Sequence, residues 1–259
     1  MTIRTLIQRM FGLILMIGLL SGTGCIKIDA TLTLNGEGGG TLHALYGMPA
    51  FLVRQMEVTR QWTQSLDLAA GITNATPLPA LDIPRIFDET ALKGRFKRME
   101  ADGITLDSLR TKEQGGWNYV DFTVKFARVE SLMKQSMFRE CGVLFKRQEG
   151  DNCKLAITLP ATGFSATPEG LASPDAITKM TPFLNGMRVV VRIDLPGEVR
   201  NSTSTMSDNR RVTWEWDFDK DVSVVDRLSR DKMVVIFEGS KTRIRDFEKL
   251  AGSTLLLSK

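Results

Sequence analysis

The chain is poor in the residues on which most enzymes and metal proteins depend. It has a single histidine, His43, and three cysteines among 259 residues. A hydrolytic triad needs a nucleophile and an orienting acid around its base, and no G-x-S-x-G segment is present. Zinc takes about four Cys, His or carboxylate ligands. We therefore expect a protein that is not an enzyme and holds no cofactor or metal, with His43 as a structural or surface residue.

Basic charge and long apolar runs are also scarce. The net charge is only +4, whereas nucleic-acid binding requires a strong basic excess on one face. The longest apolar run, residues 10–20, is well short of the roughly 20 residues of a membrane-spanning helix. The terminal run of residues 255–257 is shorter still. We expect no nucleic-acid partner and no spanning helix.

The N-terminal segment has the form of a secretory signal. Arg4 and Arg9 precede the apolar run, and the small residues of 21–24 lead to Cys25. The Gly-Thr-Gly-Cys end resembles the lipobox of bacterial lipoprotein precursors, although Gly22 stands where that family prefers an aliphatic residue. The resemblance implies a signal peptide over residues 1–24 and a diacylglyceryl, palmitate-type lipid anchor on Cys25. The alternative is an ordinary cleaved signal that leaves Cys25 as a thiol.

An anchor of this kind predicts a location. Several acyl chains on one residue give stable attachment, whereas one chain holds only reversibly. We expect a mature protein of residues 25–259 in the cell envelope, facing the periplasm or exterior. Ile26 rather than Asp follows the cysteine, which by analogy indicates the outer membrane of a Gram-negative host. The membrane is thus the first expected partner.

Cys141 and Cys153 are the other two cysteines. Export would place them in an oxidising compartment, where thiols tend to pair. They enclose a short loop with a turn-forming segment at residues 149–152. We predict a disulfide between them, and two reduced thiols are the alternative.

Three acids, Asp217, Asp219 and Asp221, begin like a calcium-binding loop. That loop requires Gly at its sixth position and Glu at its twelfth, where this chain has Val222 and Leu228. We interpret the acids as solvated side chains rather than a cation site.

Alternating apolar and polar residues predict most of the secondary structure. Strands are predicted at residues 26–34, 41–46, 104–109, 117–126, 143–146, 154–159, 187–195, 212–218 and 233–237. Helices are predicted at residues 49–68, 88–99, 129–137, 173–186 and 241–250. The Asn-Gly turn at residue 35 joins the first two strands as a hairpin. The pattern indicates an α+β domain, with two sub-lobes, residues 25–160 and 161–259, as a further interpretation.

Several short motifs resemble the LppM type of bacterial lipoproteins. They are Cys25 with its following strand and Asn-Gly turn, Asp102-Gly103-Ile104, the strand of residues 117–126, Leu195-Pro196-Gly197, Asn201 and Val212-Thr213-Trp214. The resemblance implies a curved, mainly antiparallel sheet with several amphipathic helices across it, and a lipid-binding cavity. It supplies no catalytic residue.

We therefore expect a lipid-anchored envelope protein whose domain binds an apolar or lipid ligand. Trp214 and Trp216 share one strand face and are more typical of a core than of a ligand platform. If the core is hollow, we expect them to line it with Phe122 and Val191. The alternative is a solid-core module that binds an envelope protein through an exposed apolar patch.

Overall fold

The computed structural model describes most of the chain as strands arranged in two sheets. The described residues are 26–69, 85–135, 138, 141–159, 186–221, 223–224, 227, 231–250 and 257–258. Within these ranges there are three α-helices and thirteen strands. The described residues thus form two mostly antiparallel sheets with few helices, which is compatible with the α+β class, whereas one curved sheet crossed by several amphipathic helices is not confirmed.

The larger sheet, sheet A, contains the strands predicted most clearly from their alternation. Its members are β1 (Lys27–Leu34), β2 (Gly40–Pro49), β3 (Ile104–Gln114), β4 (Trp117–Phe126), β7 (Arg188–Asp194), β9 (Met206–Ser207) and β10 (Arg211–Asp217). They lie in the order β3-β4-β2-β1-β7-β10-β9. All neighbours are antiparallel except β1 and β7, which pair in parallel.

The smaller sheet, sheet B, is antiparallel throughout. Its members are β5 (Gly142–Arg147), β6 (Asn152–Thr158), β8 (Val199–Ser202), β11 (Lys232–Glu238), β12 (Phe247–Lys249) and β13 (Leu257–Ser258). They lie in the order β13-β12-β5-β6-β11-β8. Both sheets take strands from both sides of residue 160, so the two predicted sub-lobes share both sheets. One cluster of buried apolar side chains includes members of sheet A and of sheet B.

The turn between β1 and β2 forms as the sequence predicts. The Asn35 side-chain oxygen accepts hydrogen bonds from the backbone N–H groups of Glu37 and Gly39, both at 3.0 Å. Gly38 has φ +85°, a conformation that glycine adopts without the steric cost that a Cβ adds. The result is a hairpin turn whose backbone groups are satisfied locally.

The helices are α1 (Ala50–Ala69), α2 (Glu89–Met99) and α3 (Val129–Met133). The predicted start of the second helix at residue 88 is confirmed, because Asp88 caps α2 by accepting hydrogen bonds from the N–H groups of Thr90 and Ala91. Three apolar residues of α2 at helical spacing are buried: Leu92, Phe96 and Met99.

Three of the predicted helices are not fully confirmed. Residues 241–250 are not helical, because Phe247 lies in β12 and its ring stacks on Phe145 with centroids 5.9 Å apart. The helix predicted at residues 49–68 forms as α1, but its large apolar residues are not all on a buried face, since Trp62 is 65% exposed while Leu52 is buried. The predicted helix of residues 173–186 falls almost entirely outside the described residues. None of the described helices is both long and apolar enough to cross a membrane.

The predicted disulfide is not formed. Cys141 and Cys153 are both buried and carry no bond to each other. The β5–β6 register pairs Cys153 with Arg147, which is six residues from Cys141. At about 3.3 Å per strand residue this places the two cysteines roughly 20 Å apart, whereas a disulfide needs Cα atoms about 4.4–6.8 Å apart.

Candidate functional site

One face of sheet A is apolar and carries its side chains in rows that run across the strands. The row through Leu32 contains Val124, Leu42, Leu32 and Ile193 in direct register on neighbouring strands. These four are at most 6% exposed, whereas Leu106, the β3 member of the row, is half-buried. Because paired residues of neighbouring strands point to the same face, this row forms a closed part of the core.

The next row, through Ala30, is different. It contains Leu109, Phe122, Ala44, Ala30 and Val191, one from each of five neighbouring strands. Each of the five is half-buried, so solvent reaches all of them. We call this row the trough. Its two central members are alanines, and their short side chains leave the middle of the sheet lower than the leucines of the adjoining row.

The dimensions of the trough follow from the sheet. Five strands spaced about 4.8 Å apart give a row roughly 19 Å long. The acyl chains of one leaflet span a similar distance, about 15 Å, or half of the hydrocarbon core. An extended apolar chain lying across the strands would therefore be in contact with all five side chains.

Aromatic side chains stand at both ends of the trough. Near one end, the ring of Phe96 on α2 packs on Phe122, with centroids 5.1 Å apart. At the other end, Trp214 of β10 pairs with Val191 and is only 3% exposed. The Trp214 indole N–H donates to the Thr203 hydroxyl oxygen at 3.3 Å. The Thr203 hydroxyl in turn donates to the Lys232 carbonyl oxygen at 2.8 Å, which ties this end of sheet A to β11 of sheet B.

The four residues predicted to line a cavity lie on the same face of sheet A, in two adjacent rows. Phe122, Val191 and Trp214 fall in one register row, and Trp216 lies in the adjacent row opposite Val189. Only Phe122 and Val191 are open to solvent, because both tryptophans are buried in the core. Sequence reasoning missed Ala30 and Ala44. Their signal was a small residue in the middle of each strand, where the neighbours on the same face are larger.

The opposite face of sheet A is polar. His43 lies there, with Nε2 2.9 Å from Asp121 Oδ1, and both side chains are nearly half exposed. Arg192 forms an ion pair with Asp29 on the same face. These groups pair with each other in contact with water, as surface residues do.

The three acids near residue 219 are engaged within the chain. Asp217 pairs with Lys220 at 3.0 Å, and this hydrogen bond lowers the pKa of the Asp217 carboxyl. Asp219 accepts a hydrogen bond from the backbone N–H of Gly186 at 2.6 Å. Asp221 accepts one from the Ser223 hydroxyl at 2.6 Å, which lowers its pKa. In the part of the chain that is described, no three His, Cys, Asp or Glu side chains are grouped as metal ligands.

The predicted lipidation site, Cys25, and the signal peptide of residues 1–24 lie outside the described residues. The first described strand, β1, begins two residues after Cys25. The location of this strand at the centre of sheet A therefore fixes which end of the sheet is close to Cys25.

Comparison with solved structures gives one neighbour of note. It is the folded domain of the LppM protein of Mycobacterium tuberculosis, determined by NMR. The two chains are 10% identical, the match covers 83% of this chain and 91% of the other, and the TM-score is 0.40. No protein-family model matches the chain, and no curated protein does so either. These comparisons do not assign the chain to a family.

Proposed function

We propose that this protein is a lipid-anchored, non-enzymatic component of the bacterial cell envelope that binds an apolar or lipid ligand in the trough. The observation that carries the proposal is the half-buried row of five apolar side chains beside the buried residues of the row through Leu32. An exposed apolar row costs free energy in water, and a ligand that covers it recovers that energy. Each CH₂ group removed from water contributes about 0.8 kcal/mol.

The anchor supplies the second half of the proposal. The signal-like segment and Cys25 indicate export to the cell envelope. Acyl chains on Cys25 would keep the domain close to the membrane, which is a source of lipid. No charged residue belongs to the trough, and Arg192 and Asp29 pair on the opposite face of sheet A. The trough is therefore apolar along its length, which suits an acyl chain better than a polar metabolite.

A partner-binding module is the second candidate. Val58 and Trp62 are 59% and 65% exposed and lie one turn apart on α1. Large apolar side chains on a solvent-facing helix are typical of protein interfaces. This candidate predicts a trough that stays empty and a surface that is occupied instead.

Co-purification with lipid distinguishes the two candidates. The chain of residues 26–259, which lacks the anchor cysteine, would be exported to the periplasm of a bacterial host, purified without detergent, extracted with organic solvent and analysed for lipids by mass spectrometry. We expect one lipid class in a fixed molar ratio to the protein. Ala30→Leu and Ala44→Leu should lower that ratio, because a larger side chain fills the trough.

Thr31→Leu is the matched control. It adds bulk to the same strand at the next residue, which faces the polar side of sheet A and not the trough. The lipid ratio should be unchanged in this variant. Folded wild-type protein that is free of lipid would argue against the ligand-binding function and favour the partner-binding module.

A further inference from the structure

Lysine and aromatic side chains form a stack on the polar face of sheet A, at the end where β1 begins. The Lys27 ammonium lies 4.1 Å from the centre of the Trp117 ring. Trp117 stacks on Tyr119 with ring centroids 6.3 Å apart and planes 22° from parallel. The Lys112 ammonium lies 5.6 Å from the centre of the Tyr119 ring. We call these four residues the interfacial patch.

Gly47 makes the stack sterically feasible. It lies between Lys27 and Tyr119 in the strand register. A Cβ on Gly47 would come within 2.7 Å of the Tyr119 ring, so any larger residue would push that ring away from its present position. The Tyr119 ring covers the glycine and reaches toward the first strand.

The patch retains positive charge. Neither lysine of the patch forms an ion pair with a carboxylate within the described ranges, and each contacts an aromatic ring instead. Two acids in this part of the structure pair with arginines, Glu113 with Arg54 at 3.6 Å and Glu215 with Arg188 at 3.0 Å. Lys112 is exposed, and Lys27, Trp117 and Tyr119 are half-buried.

The strand register shows how far the patch lies from Cys25 along the strands. Lys27, Gly47, Tyr119 and Lys112 are paired in one row across four strands, a distance of about 14 Å at the usual strand spacing. Trp117 lies two residues further toward the same end of the sheet, opposite Pro49. Two residues of chain reach at most about 7 Å, so Cys25 cannot be far from this row.

We propose that the interfacial patch rests on the anionic phospholipid surface of the membrane that holds the anchor. Tryptophan and tyrosine are the residues that prefer the headgroup level of a bilayer. Lysine there extends its charged end toward phosphates while its stem covers apolar surface, and each basic residue near an anionic leaflet adds attraction. With acyl chains at Cys25, the row lies along the membrane plane and the trough stands above it. The inference rests on the anchor proposed above.

Fluorescence quenching by brominated lipids tests the patch on the full mature chain with its anchor. Vesicles of phosphatidylethanolamine and phosphatidylglycerol, with bromine on the acyl chains near the headgroup, quench only tryptophans at the interface. Trp214 and Trp216 are buried, which leaves Trp117 and Trp62 as the responsive residues. We expect marked quenching in the wild type, most of it lost in Trp117→Phe and retained in the matched variant Trp62→Phe.

A second variant changes the two lysines of the patch and leaves its aromatic rings in place. Lys27→Gln combined with Lys112→Gln should reduce the quenching and remove its dependence on the phosphatidylglycerol content. Vesicle flotation measures membrane binding itself and therefore distinguishes a failure of the patch from a failure of the anchor. If the protein floats but Trp117→Phe and the wild type are quenched equally, the patch is only a structural stack and the inference is overturned. If the wild type fails to float just as Cys25→Ser does, both the anchor and the patch are overturned.

Discussion

At the scale of single residues, the two buried cysteines show how strand register determines whether a disulfide can form. Cys153 is fully buried, and burial raises the pKa of its thiol, so little of the nucleophilic thiolate is present at neutral pH. Cys141 lies before β5, where its carbonyl oxygen accepts a hydrogen bond from the buried Lys249 ammonium at 2.8 Å. The two thiols are thus held apart at opposite ends of a hairpin.

This arrangement predicts a thiol count. In protein that carries Cys25→Ser and has never met a reductant, iodoacetamide should label neither Cys141 nor Cys153 in the folded state. After unfolding in urea it should label both, as mass spectrometry would show. Cys153→Ala calibrates the measurement, because it should lower the number of labelled thiols in the unfolded chain from two to one. A disulfide would instead leave the unfolded chain unlabelled until reductant is added.

At the scale of elements, Asp194 joins three strands of sheet A. It pairs directly with Arg211 across β7 and β10, with Arg211 Nη2 2.9 Å from its Oδ2. It also accepts a hydrogen bond from the Thr33 hydroxyl of β1 at 3.2 Å. The hydrogen bond from Arg211 holds the pKa of the Asp194 carboxyl below its ordinary value. The parallel junction of β1 with β7 is therefore reinforced by one ionised side chain.

We expect Asp194→Asn to destabilise the protein by roughly 1 kcal/mol at neutral pH. Because the folded-state pKa is depressed, this contribution is fully present above the unfolded value of about 3.9 and is lost as the pH falls through the folded value. Urea unfolding at neutral pH and near pH 2 measures it. The difference between variant and wild type should shrink at the lower pH.

Asp107→Asn serves as the control for loss of one negative charge. Asp107 pairs with Lys125 between β3 and β4, and its side chain is 44% exposed against 24% for Asp194. We expect a smaller change in the free energy of unfolding. If Asp194→Asn differed from the wild type by the same amount at both pH values, the assigned ionic role would be contradicted.

Elements with long alternating patterns could be predicted from the sequence, and short ones could not. The strand of residues 117–126 was predicted at its observed bounds because ten residues of period two leave little ambiguity. β12 has only three residues, Phe247–Lys249, and the good helix formers around it favoured a helix. Contact between Phe247 and Phe145 overrides that local preference.

At the scale of the whole molecule, the pairing between distant segments could not be predicted from the sequence. No local pattern shows that β1 pairs with β7, more than 150 residues later, or that β7 and β8 belong to different sheets. The trough depends on this topology, because Ala30 and Val191 become neighbours only through the parallel pairing. Phe122 and Trp214 could be identified as apolar and strand-bound, but not as opposite ends of one row.

The same topology predicts that the first half of the chain cannot fold alone. A chain of residues 26–160 would lose β7 and β10 from sheet A and β11 from sheet B. It would expose the edges of β1 and β6, and unpaired edges promote aggregation.

We expect this shortened chain to show no cooperative urea transition and to aggregate, while the chain of residues 26–259 unfolds in one sigmoidal step. Far-UV circular dichroism and size-exclusion chromatography would measure both. Two independent sub-lobes predict the opposite result, a monomeric and cooperative half. That result would contradict a β1–β7 junction that both halves need, and with it the neighbouring positions of Ala30 and Val191 on which the trough depends.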